Sequence, residues 1–300
     1  MRGTILFLVT ALFVLPLGSC HSGDGLVIGS KSFGEQVLLG EIVAQQIERR
    51  MELRVDRRFN LTGTFILDRA LRAGELDAYV EYTGTAFTAI LKRDPITDPA
   101  QVYRQVREEY RKSGLEWLRP LGFNNTFAIL IRAEVAHRLG LKTISQAAAH
   151  ASGWKPGFGY EFIERKDGFQ GLAKTYGLKF AQPPRVMELG LVYRALADGQ
   201  IDLAAGNSTS GLISALDLAV LEDDKEYFPP YQAAIVIRQA TLDRYPRLKS
   251  VLEQLSGAFS DQEMRRLNYE VDGKQRPVAA VARGFLSGLK DLSGEKGREK

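Results

Sequence analysis

The spacing of apolar residues changes repeatedly along the first third of the chain, and each change marks a new predicted element. Residues 26–28 form a short apolar run between two glycines, which is typical of a buried strand. Apolar residues then recur at helical spacing over 35–50. A strand at 55–59, a helix at 64–73 and a strand at 76–81 follow. Strands that alternate with helices predict an α/β fold with mostly parallel sheets.

A second α/β set follows a charged helix at 98–113. Its predicted elements are a strand at 126–132, helices at 134–139, 143–151 and 189–198, and a strand at 201–205. The chain from 246 to 289 is predicted to be helical. A length of 300 residues with 45% hydrophobic residues suits one or two domains, or a single fold with two lobes.

A helix-to-strand segment recurs 125 positions along the chain. The first copy contains Arg69, Ala70, Leu71, Gly74, Leu76 and Asp77, and the second contains Arg194, Ala195, Leu196, Gly199, Ile201 and Asp202. Each predicted strand ends in a small, hydroxyl-rich turn, at 82–85 and at 207–211. Ligands of open α/β sheets bind outside the carboxyl ends of the strands. Two lobes that each contribute one turn therefore predict a ligand cleft between them.

The N-terminal segment has the pattern of an export signal. A positive charge precedes an apolar run over 5–17, which is shorter than the roughly 18 residues that a membrane span needs. Residues 17–20 read Leu-Gly-Ser-Cys and resemble the lipobox of bacterial lipoproteins, in which the cysteine is acylated. We therefore predict a signal peptide over 1–19, a lipidated Cys20 and a tether over 20–25. The remaining chain would be extracytoplasmic (periplasmic or at the cell surface) and held at a membrane by lipid.

Composition and charge exclude several functional classes. The formal charge of +4 comes from 40 basic and 36 acidic residues that are mixed along the chain, so nucleic-acid binding is not expected. A single cysteine excludes an internal disulfide or a cysteine-rich zinc site, and the three histidines lack ligand partners at suitable spacing. Glycine-rich phosphate or dinucleotide loops are absent from the sequence. We therefore expect no metal and no cofactor.

Catalytic motifs in the sequence are incomplete. Ser210 stands where a G-x-S-x-G nucleophile motif starting at Gly206 would need its final glycine. The S-x-x-K pattern at 152–155 lacks the helix and the companion triplets of penicillin-acylating enzymes. We therefore do not predict an enzyme, and a secreted hydrolase that uses a serine of the 208–210 turn remains the alternative.

Five aromatic residues lie beside turns: Phe33, Tyr82, Phe127, Phe162 and Tyr231. Packing in the core is the ordinary role of a single aromatic side chain. Tyr82 follows a predicted strand and Tyr231 follows a rigid diproline turn, so both rings are predicted to lie at a rim. A ring face there suits a methylated ammonium group, which has no hydrogen-bond donor and is held by cation–π attraction.

Several motifs in order resemble the substrate-binding proteins of osmoprotectant ABC importers, which bind glycine betaine, choline and carnitine. The motifs are G-S-K-S-F-G-E-Q at 29–36, E-Y-T-G-T at 81–85, N-N-T-F at 124–127, R-K-D-G at 165–168 and F-P-P-Y at 228–231. The resemblance implies a type II periplasmic-binding-protein fold whose chain crosses between lobes near 126–131 and 233–237. Lobe 1 would comprise 26–127 and 232–290, lobe 2 would comprise 128–231, and 291–300 would form a polar tail.

The resemblance also implies a ligand site and partners. Tyr82, Phe127, Asn207 and Tyr231 stand at the positions of the family's aromatic box, with Asn125 adjoining and Ser32 nearby in the first motif. Lys31, Thr85 and Arg165 stand where the family grips a ligand carboxylate. A zwitterion needs ring faces at its cationic end and charge-assisted donors at its anionic end. The implied partners are a small zwitterionic solute and the permease and ATPase subunits of an importer, with the receptor itself a monomer.

Four positions depart from the family pattern, and they leave the ligand open. Phe127 and Asn207 replace tyrosines, Ser210 replaces an aspartate, and Gly34 replaces a threonine. A cation–π contact contributes roughly 0.5–2 kcal/mol, so the loss of one ring from the box lowers the affinity for a quaternary amine by about ten-fold. The ligand is therefore predicted to be glycine betaine, choline or carnitine, or another N-methylated solute such as ergothioneine that Asn207 would hydrogen-bond.

Overall fold

The computed structural model describes residues 25–289, whose strands form two five-stranded sheets. The strands are β1 (Gly25–Lys31), β2 (Arg54–Leu61), β3 (Ala78–Tyr82), β4 (Leu115–Trp117), β5 (Phe127–Arg132), β6 (Pro156–Phe158), β7 (Arg185–Val186), β8 (Leu203–Asn207), β9 (Leu218–Leu221) and β10 (Ala233–Arg238). The strand order is β2-β1-β3-β10-β4 in the first sheet and β7-β6-β8-β5-β9 in the second. We call the first sheet with its helices lobe 1 and the second sheet with its helices lobe 2.

The helices fill the connections between these strands. They are α1 (Gly34–Met51), α2 (Gly63–Ala73), α3 (Thr83–Thr85), α4 (Pro99–Arg111), α5 (Ala133–Leu139), α6 (Ile144–Ala148), α7 (Tyr160–Glu164), α8 (Phe169–Tyr176), α9 (Leu189–Ala197), α10 (Leu212–Ala215), α11 (Gln239–Arg244), α12 (Leu248–Leu252), α13 (Asp261–Asn268) and α14 (Val278–Gly288). A π-helical turn, Ala86–Ile90, continues α3, and another, Tyr269–Gly273, continues α13. The predicted C-terminal helical region is thus a series of short helices.

Both sheets are mixed, so the expectation of mostly parallel sheets is wrong. In lobe 1, β1 is parallel to β2 and β3, but β10 is antiparallel to β3 and β4. In lobe 2, β6 is parallel to β7 and β8, but β5 is antiparallel to β8 and β9. β5 and β10 enter their sheets from the other lobe, because the chain changes sheets between β4 and β5 and again between β9 and β10. The lobe boundaries predicted at 127/128 and 231/232 stay a proposal.

The repeated sequence segment folds into equivalent units in the two lobes. α2 leads to β3 through Gly74 and α9 leads to β8 through Gly199, and both glycines have a positive φ, 79° and 70°. Asp77 accepts from the amide of Val27 at 2.8 Å, and Asp202 accepts from the amide of Lys155 at 3.0 Å. The left-handed φ that follows each helix explains why glycine stands at both positions.

α1 carries the first residues of the site on a rigid support. Residues 38–47 of this helix are all buried, and the helix contacts β1, β2, α12 and α14. The helix begins shortly after the tip of β1, at Gly34, and ends at Met51, and the next residue, Glu52, adopts a left-handed φ of 56°. The β1 tip and the start of α1 are therefore fixed by the lobe 1 core.

None of the helices within residues 25–289 is both long and apolar enough to cross a membrane. The predicted signal peptide, Cys20 and most of the tether lie outside the described residues.

Candidate ligand-binding site

A cavity of about 210 Å³ lies between the two lobes, where strands of both sheets end. β1 ends at Lys31, β3 ends at Tyr82 and β8 ends at Asn207. The nine ligand-contact residues predicted from the sequence all line this cavity: Lys31, Ser32, Tyr82, Thr85, Asn125, Phe127, Arg165, Asn207 and Tyr231. The fold brings the whole predicted set to one place, and its role in ligand binding stays a prediction.

The ammonium group of Lys31 is paired inside lobe 1. Lys31 Nζ donates to Glu81 Oε1 at 2.7 Å, and both side chains are almost completely buried. Lys31 Nζ also lies 5.3 Å from the centre of the Tyr82 ring. Burial raises the pKa of Glu81, and the positive charge of Lys31 opposes that shift. Because an ammonium group carries three N–H donors, this pair leaves two of them for another acceptor.

Arg165 is held by a carboxylate of its own loop and reaches across to lobe 1. Its Nε and Nη2 donate to the two oxygens of Asp167 at 2.9 and 2.6 Å, and its Nη1 donates to Thr85 Oγ1 at 3.0 Å. Asp167 also accepts from Thr88 Oγ1 at 2.7 Å and from Tyr231 Oη at 2.5 Å. Although burial acts to raise it, the pKa of Asp167 is lowered by the hydrogen bonds and charge of Arg165. This network therefore connects the lobes through a buried ion pair.

Aromatic rings surround the Arg165 guanidinium. Its central carbon lies 5.1 Å from the centre of the Phe127 ring and 5.6 Å from that of Tyr231. The two rings meet edge to face with their centres 5.7 Å apart, and Phe162 packs against Phe127 at 4.8 Å. Such edge-to-face contacts fix ring orientation. Phe127 and Tyr231 are thus held in place at the cavity wall.

A buried carboxylate, that of Glu35, fixes the Tyr82 ring from behind. Tyr82 Oη donates to Glu35 Oε1 at 2.5 Å, and Asn125 Nδ2 donates to the same oxygen at 2.7 Å. Glu35 Oε2 accepts from Thr209 Oγ1 at 2.5 Å and from Asn268 Nδ2 at 2.7 Å. All four donors are neutral, and burial raises the pKa of Glu35 above its ordinary value. Since Thr209 belongs to lobe 2, this carboxylate also joins the two lobes.

The carboxylates in and directly behind the cavity lining outnumber its two cations. The cations Lys31 and Arg165 are each balanced by a carboxylate directly behind them. Glu161 and Glu188, both from lobe 2, add two further carboxylates to the lining. Glu161 Oε1 accepts from the amide of Thr64 in lobe 1 at 3.2 Å. A site of this charge attracts a cationic group.

Sequence reasoning missed the acidic residues of the site. Glu35, Glu81 and Asp167 each lie inside one of the sequence motifs, and a buried lysine or arginine requires a countercharge, so a signal was present. Glu161 and Glu188 lie outside those motifs. Tyr160, which is 61% exposed at the cavity rim, also carries no signal in the sequence beyond being aromatic.

The serine-rich turn after β8 shows no hydrolase pair within the described residues. Glu35 does reach this turn, but it does so at Thr209, whose side chain is fully buried. Ser208 Oγ donates to the carbonyl of Asn124 at 3.4 Å, and Ser210 Oγ accepts from the amide of Leu212 at 3.3 Å. No group of three or more His, Cys, Asp or Glu side chains between residues 25 and 289 is placed to hold a metal ion.

The sequence is similar to proteins of known function. Residues 24–288 match a family model described as the substrate binding domain of the ABC-type glycine betaine transport system. The chain is 32% identical over 292 residues to the carnitine transport binding protein OpuCC of Listeria monocytogenes, covering 94% of each chain. It is 35% identical over 286 residues to the ergothioneine transport permease/ergothioneine binding protein EgtU of Helicobacter pylori. That match covers 95% of this chain and 51% of EgtU, so the chain spans about half the length of this relative.

The fold agrees with these sequence matches. A crystal structure described as a glycine betaine/carnitine/choline ABC transporter superposes with a TM-score of 0.75 at 36% identity, covering 87% of this chain and 97% of the other. The predicted two-lobed periplasmic-binding-protein fold is therefore confirmed. Because the family model spans nearly all of the described residues, the chain belongs to the family of substrate-binding domains of ABC-type glycine betaine transport systems.

Proposed function

We propose that this protein is the receptor of an ABC importer and binds a small N-methylated zwitterion or quaternary amine in the cavity between its lobes. One observation carries the proposal: the rings of Tyr82, Phe127 and Tyr231 line the same cavity as the cationic side chains of Lys31 and Arg165. The cavity of about 210 Å³ is smaller than the roughly 300–1,000 Å³ of sites for drug-sized ligands, as suits a compact solute.

The cationic end of the ligand is assigned to the rings. A trimethylammonium group cannot donate a hydrogen bond, so it gains most from ring faces and from nearby negative charge. Tyr82 is fixed by its bond to Glu35, and Phe127 and Tyr231 are fixed by each other. Rings that are already in place lose little side-chain entropy when the ligand binds.

The anionic end of the ligand is assigned to Lys31, Thr85 and Arg165. A guanidinium group has five N–H donors, and Nη1 of Arg165 has a single contact, with Thr85, so one of its two N–H groups is left for a ligand oxygen. Lys31 has two N–H groups left beside its pair with Glu81. Because Glu81 and Asp167 balance these cations, the site offers hydrogen bonds to a carboxylate without a strong positive field that would repel the ammonium end.

Asn207 bears on which N-methylated solute binds. It ends β8, directly opposite Phe127 in the sheet register, and it supplies an amide where the family pattern has a ring. The relatives OpuCC and EgtU are named for carnitine and for ergothioneine. We propose glycine betaine, carnitine and choline as candidate ligands, with ergothioneine as the alternative in which the Asn207 amide hydrogen-bonds the ligand.

Delivery to a membrane permease and its ATPase completes the proposal. The lipobox at residues 17–20 supports acylation of Cys20, which would hold the protein outside the cytoplasm at a membrane. The short segment between Cys20 and β1 would serve as the tether, and the receptor would act as a monomer.

A thermal-shift screen followed by calorimetric titration tests the binding function. The screen contains glycine betaine, carnitine, choline and ergothioneine, with glycine and histidine as controls that lack the methyl groups. A ligand that binds only the folded state raises the melting temperature, and one at 100 times its Kd adds about 2.7 kcal/mol to the free energy of unfolding. A shift with at least one methylated solute and none with the controls is expected. No shift with any methylated solute would contradict the proposed ligand class.

A further inference from the structure

A second cavity, of about 350 Å³, adjoins the ligand cavity between the lobes. The two cavities share five lining residues: Ser32, Phe33, Glu188, Leu189 and Asn207. The start of α1 and the π-helical turn Tyr269–Gly273 form the lobe 1 wall, and the start of α9 and the turn after β8 form the lobe 2 wall. A ligand in the first cavity could thus extend into the second past Asn207.

The charged side chains that line the second cavity are mainly carboxylates. Glu35, Glu188 and Asp272 contribute three carboxylates, whereas the exposed Arg194 contributes the one basic side chain among the lining residues. Glu35 and Glu188 already accept hydrogen bonds from protein groups. Asp272, in contrast, accepts no hydrogen bond from any residue between 25 and 289. An acceptor-rich wall of this kind suits a group that carries N–H donors.

A buried amide oxygen points to the same chemistry. Asn268 lines the cavity and is only 2% exposed. Its Nδ2 donates to Glu35 Oε2 at 2.7 Å and to the carbonyl of Thr209 at 2.8 Å. Its Oδ1 has no hydrogen-bond partner within the described part of the chain. Leaving a buried acceptor unpaired is costly, so a ligand N–H at this position would satisfy it.

Three residues that depart from the family pattern lie along the second cavity. Gly34, Asn207 and Ser210, three of the four departures, all line the second cavity. A Cβ atom added to Gly34 would lie 2.2 Å from Asp272 Oδ1, so a side chain at residue 34 is incompatible with this position of Asp272. The small residue at 34 therefore lets the Asp272 carboxylate reach the cavity wall.

We propose that the second cavity is a subsite for the side group of the ligand, and that it selects betaines whose side group carries N–H donors, such as an imidazole. Asp272 and Asn268 Oδ1 would accept hydrogen bonds from that group, while the ligand cavity holds the trimethylammonium and carboxylate groups. This inference rests on the proposed function for the first cavity. Glycine betaine, which has no side group, would leave the subsite unused.

Calorimetric titration of the full chain with three betaines tests the inference. The trimethyl betaines of glycine, histidine and phenylalanine share the ammonium and carboxylate groups, and only the histidine side group has an N–H donor. For the unmodified protein, the affinity for the histidine betaine is expected to be higher than that for the phenylalanine betaine by about ten-fold or more. One hydrogen bond to a charged group contributes an affinity difference of about this size. Equal affinity of these two ligands would overturn the subsite.

Two variants and a control locate the effect. Asp272→Asn should lower the affinity for the histidine betaine by about ten-fold and change that for glycine betaine by less than about two-fold. Gly34→Thr should remove the preference for the histidine betaine by displacing Asp272, and the exposed control Asp243→Asn should preserve it. Thermal melting of each variant confirms that it folds. An equal loss for all three betaines in Asp272→Asn would overturn the subsite, whereas no binding of any betaine to the unmodified protein would overturn the proposed function as well.

Discussion

Tyr82 Oη lies 2.5 Å from Glu35 Oε1, so a ring at the ligand cavity is fixed by a buried carboxylate whose four hydrogen-bond donors are all neutral. The burial and the Glu35 charge raise the pKa of Tyr82 well above its ordinary value, which keeps its hydroxyl a donor. The ring therefore has two separable properties. The ring lines the cavity, and its hydroxyl stabilises the fold.

Substitutions at Tyr82 should separate these properties. Tyr82→Phe leaves Glu35 with three donors and should lower the free energy of unfolding by about 1–3 kcal/mol, while methylated ligands still bind. Tyr82→Ala should in addition weaken every methylated ammonium ligand by about 1–2 kcal/mol. Urea unfolding and calorimetry measure the two effects. Unchanged ligand affinity in Tyr82→Ala would return this ring to a purely structural role.

Arg165→Ala should discriminate between ligands with and without a carboxylate. Glycine betaine loses a charge-assisted hydrogen bond, whereas choline has no anionic end and should lose little. Because the substitution also leaves Asp167 without its ion pair, the measured quantity is the ratio of the two affinities, in which a general loss of stability cancels. We expect that ratio to change by about ten-fold or more in calorimetric titrations. An unchanged ratio would refute the assignment of the carboxylate to Arg165.

Asn207→Tyr tests whether the amide or the missing ring matters at this position. If the aromatic box is merely incomplete, the new ring should strengthen glycine betaine binding by about 0.5–2 kcal/mol. If the Asn207 amide hydrogen-bonds the ligand, affinity for the natural ligand should fall. The titrations use glycine betaine, carnitine and ergothioneine side by side. Affinities that do not change for any of them would place Asn207 outside the binding contacts.

The stability of the protein should depend on pH through Asp272. Burial, with the charges of Glu35 and Glu188, raises the pKa of Asp272 from 3.8 to about 6. Because the pKa of Asp272 is higher in the folded than in the unfolded protein, protonation of this carboxyl stabilises the fold, and this contribution is complete below about pH 4. It is lost as the pH rises through 6. Asp272→Asn should therefore match the unmodified protein near pH 4 and exceed it by about 1–2 kcal/mol at pH 7, after allowance for solvent screening.

Urea unfolding of both proteins at pH 4 and pH 7 checks this expectation. Glu35 has a pKa raised in the same direction, and it is present in both proteins, so its effect largely cancels in the difference. The exposed Asp243→Asn variant serves as the control and should follow the unmodified protein at both pH values. A gain in Asp272→Asn that is equal at pH 4 and pH 7 would show that titration of Asp272 is not its cause.

Cys20→Ser should release the protein from the membrane. The thioether to the lipid cannot form on serine, so membrane association and partitioning into a detergent phase should both be lost in cells that express the full chain. Globomycin, which blocks the lipoprotein signal peptidase, should stop processing of the unmodified chain. Membrane association that persists in Cys20→Ser would contradict lipidation.

Local patterns in the sequence predicted the α/β class and a cleft between two lobes, whereas the periplasmic-binding-protein fold and the residues of the site were predicted from the resemblance to a known family. The helix-to-strand repeat that ends at Asp77 and Asp202 was visible as a spacing of 125 residues, and both copies fold as predicted. The direction of β5 and β10 was not predicted, since local apolar patterns do not specify which neighbour a strand pairs with. The direction of these two strands follows from the two points at which the chain changes sheets, between β4 and β5 and between β9 and β10.

The electrostatic arrangement was not predicted from the sequence. Lys31 and Arg165 were predicted as cations for a ligand, but the carboxylates that balance them, Glu81 and Asp167, became apparent only from the burial of each pair. The second cavity joins Gly34 to Asp272, which are far apart in the chain, and no spacing rule relates them. Long-range juxtapositions of this kind require the packed structure.

The equivalence of the two helix-to-strand units has a consequence for how a ligand is oriented. β3 and β8 end at Tyr82 and Asn207, which are equivalent positions in the two copies. A cavity with the same residue at both strand ends would offer a small zwitterion two poses of similar energy, related by a half turn. A ring on one lobe and an amide on the other remove that degeneracy. On the proposed function, we therefore expect a bound solute to take a single orientation in the cavity.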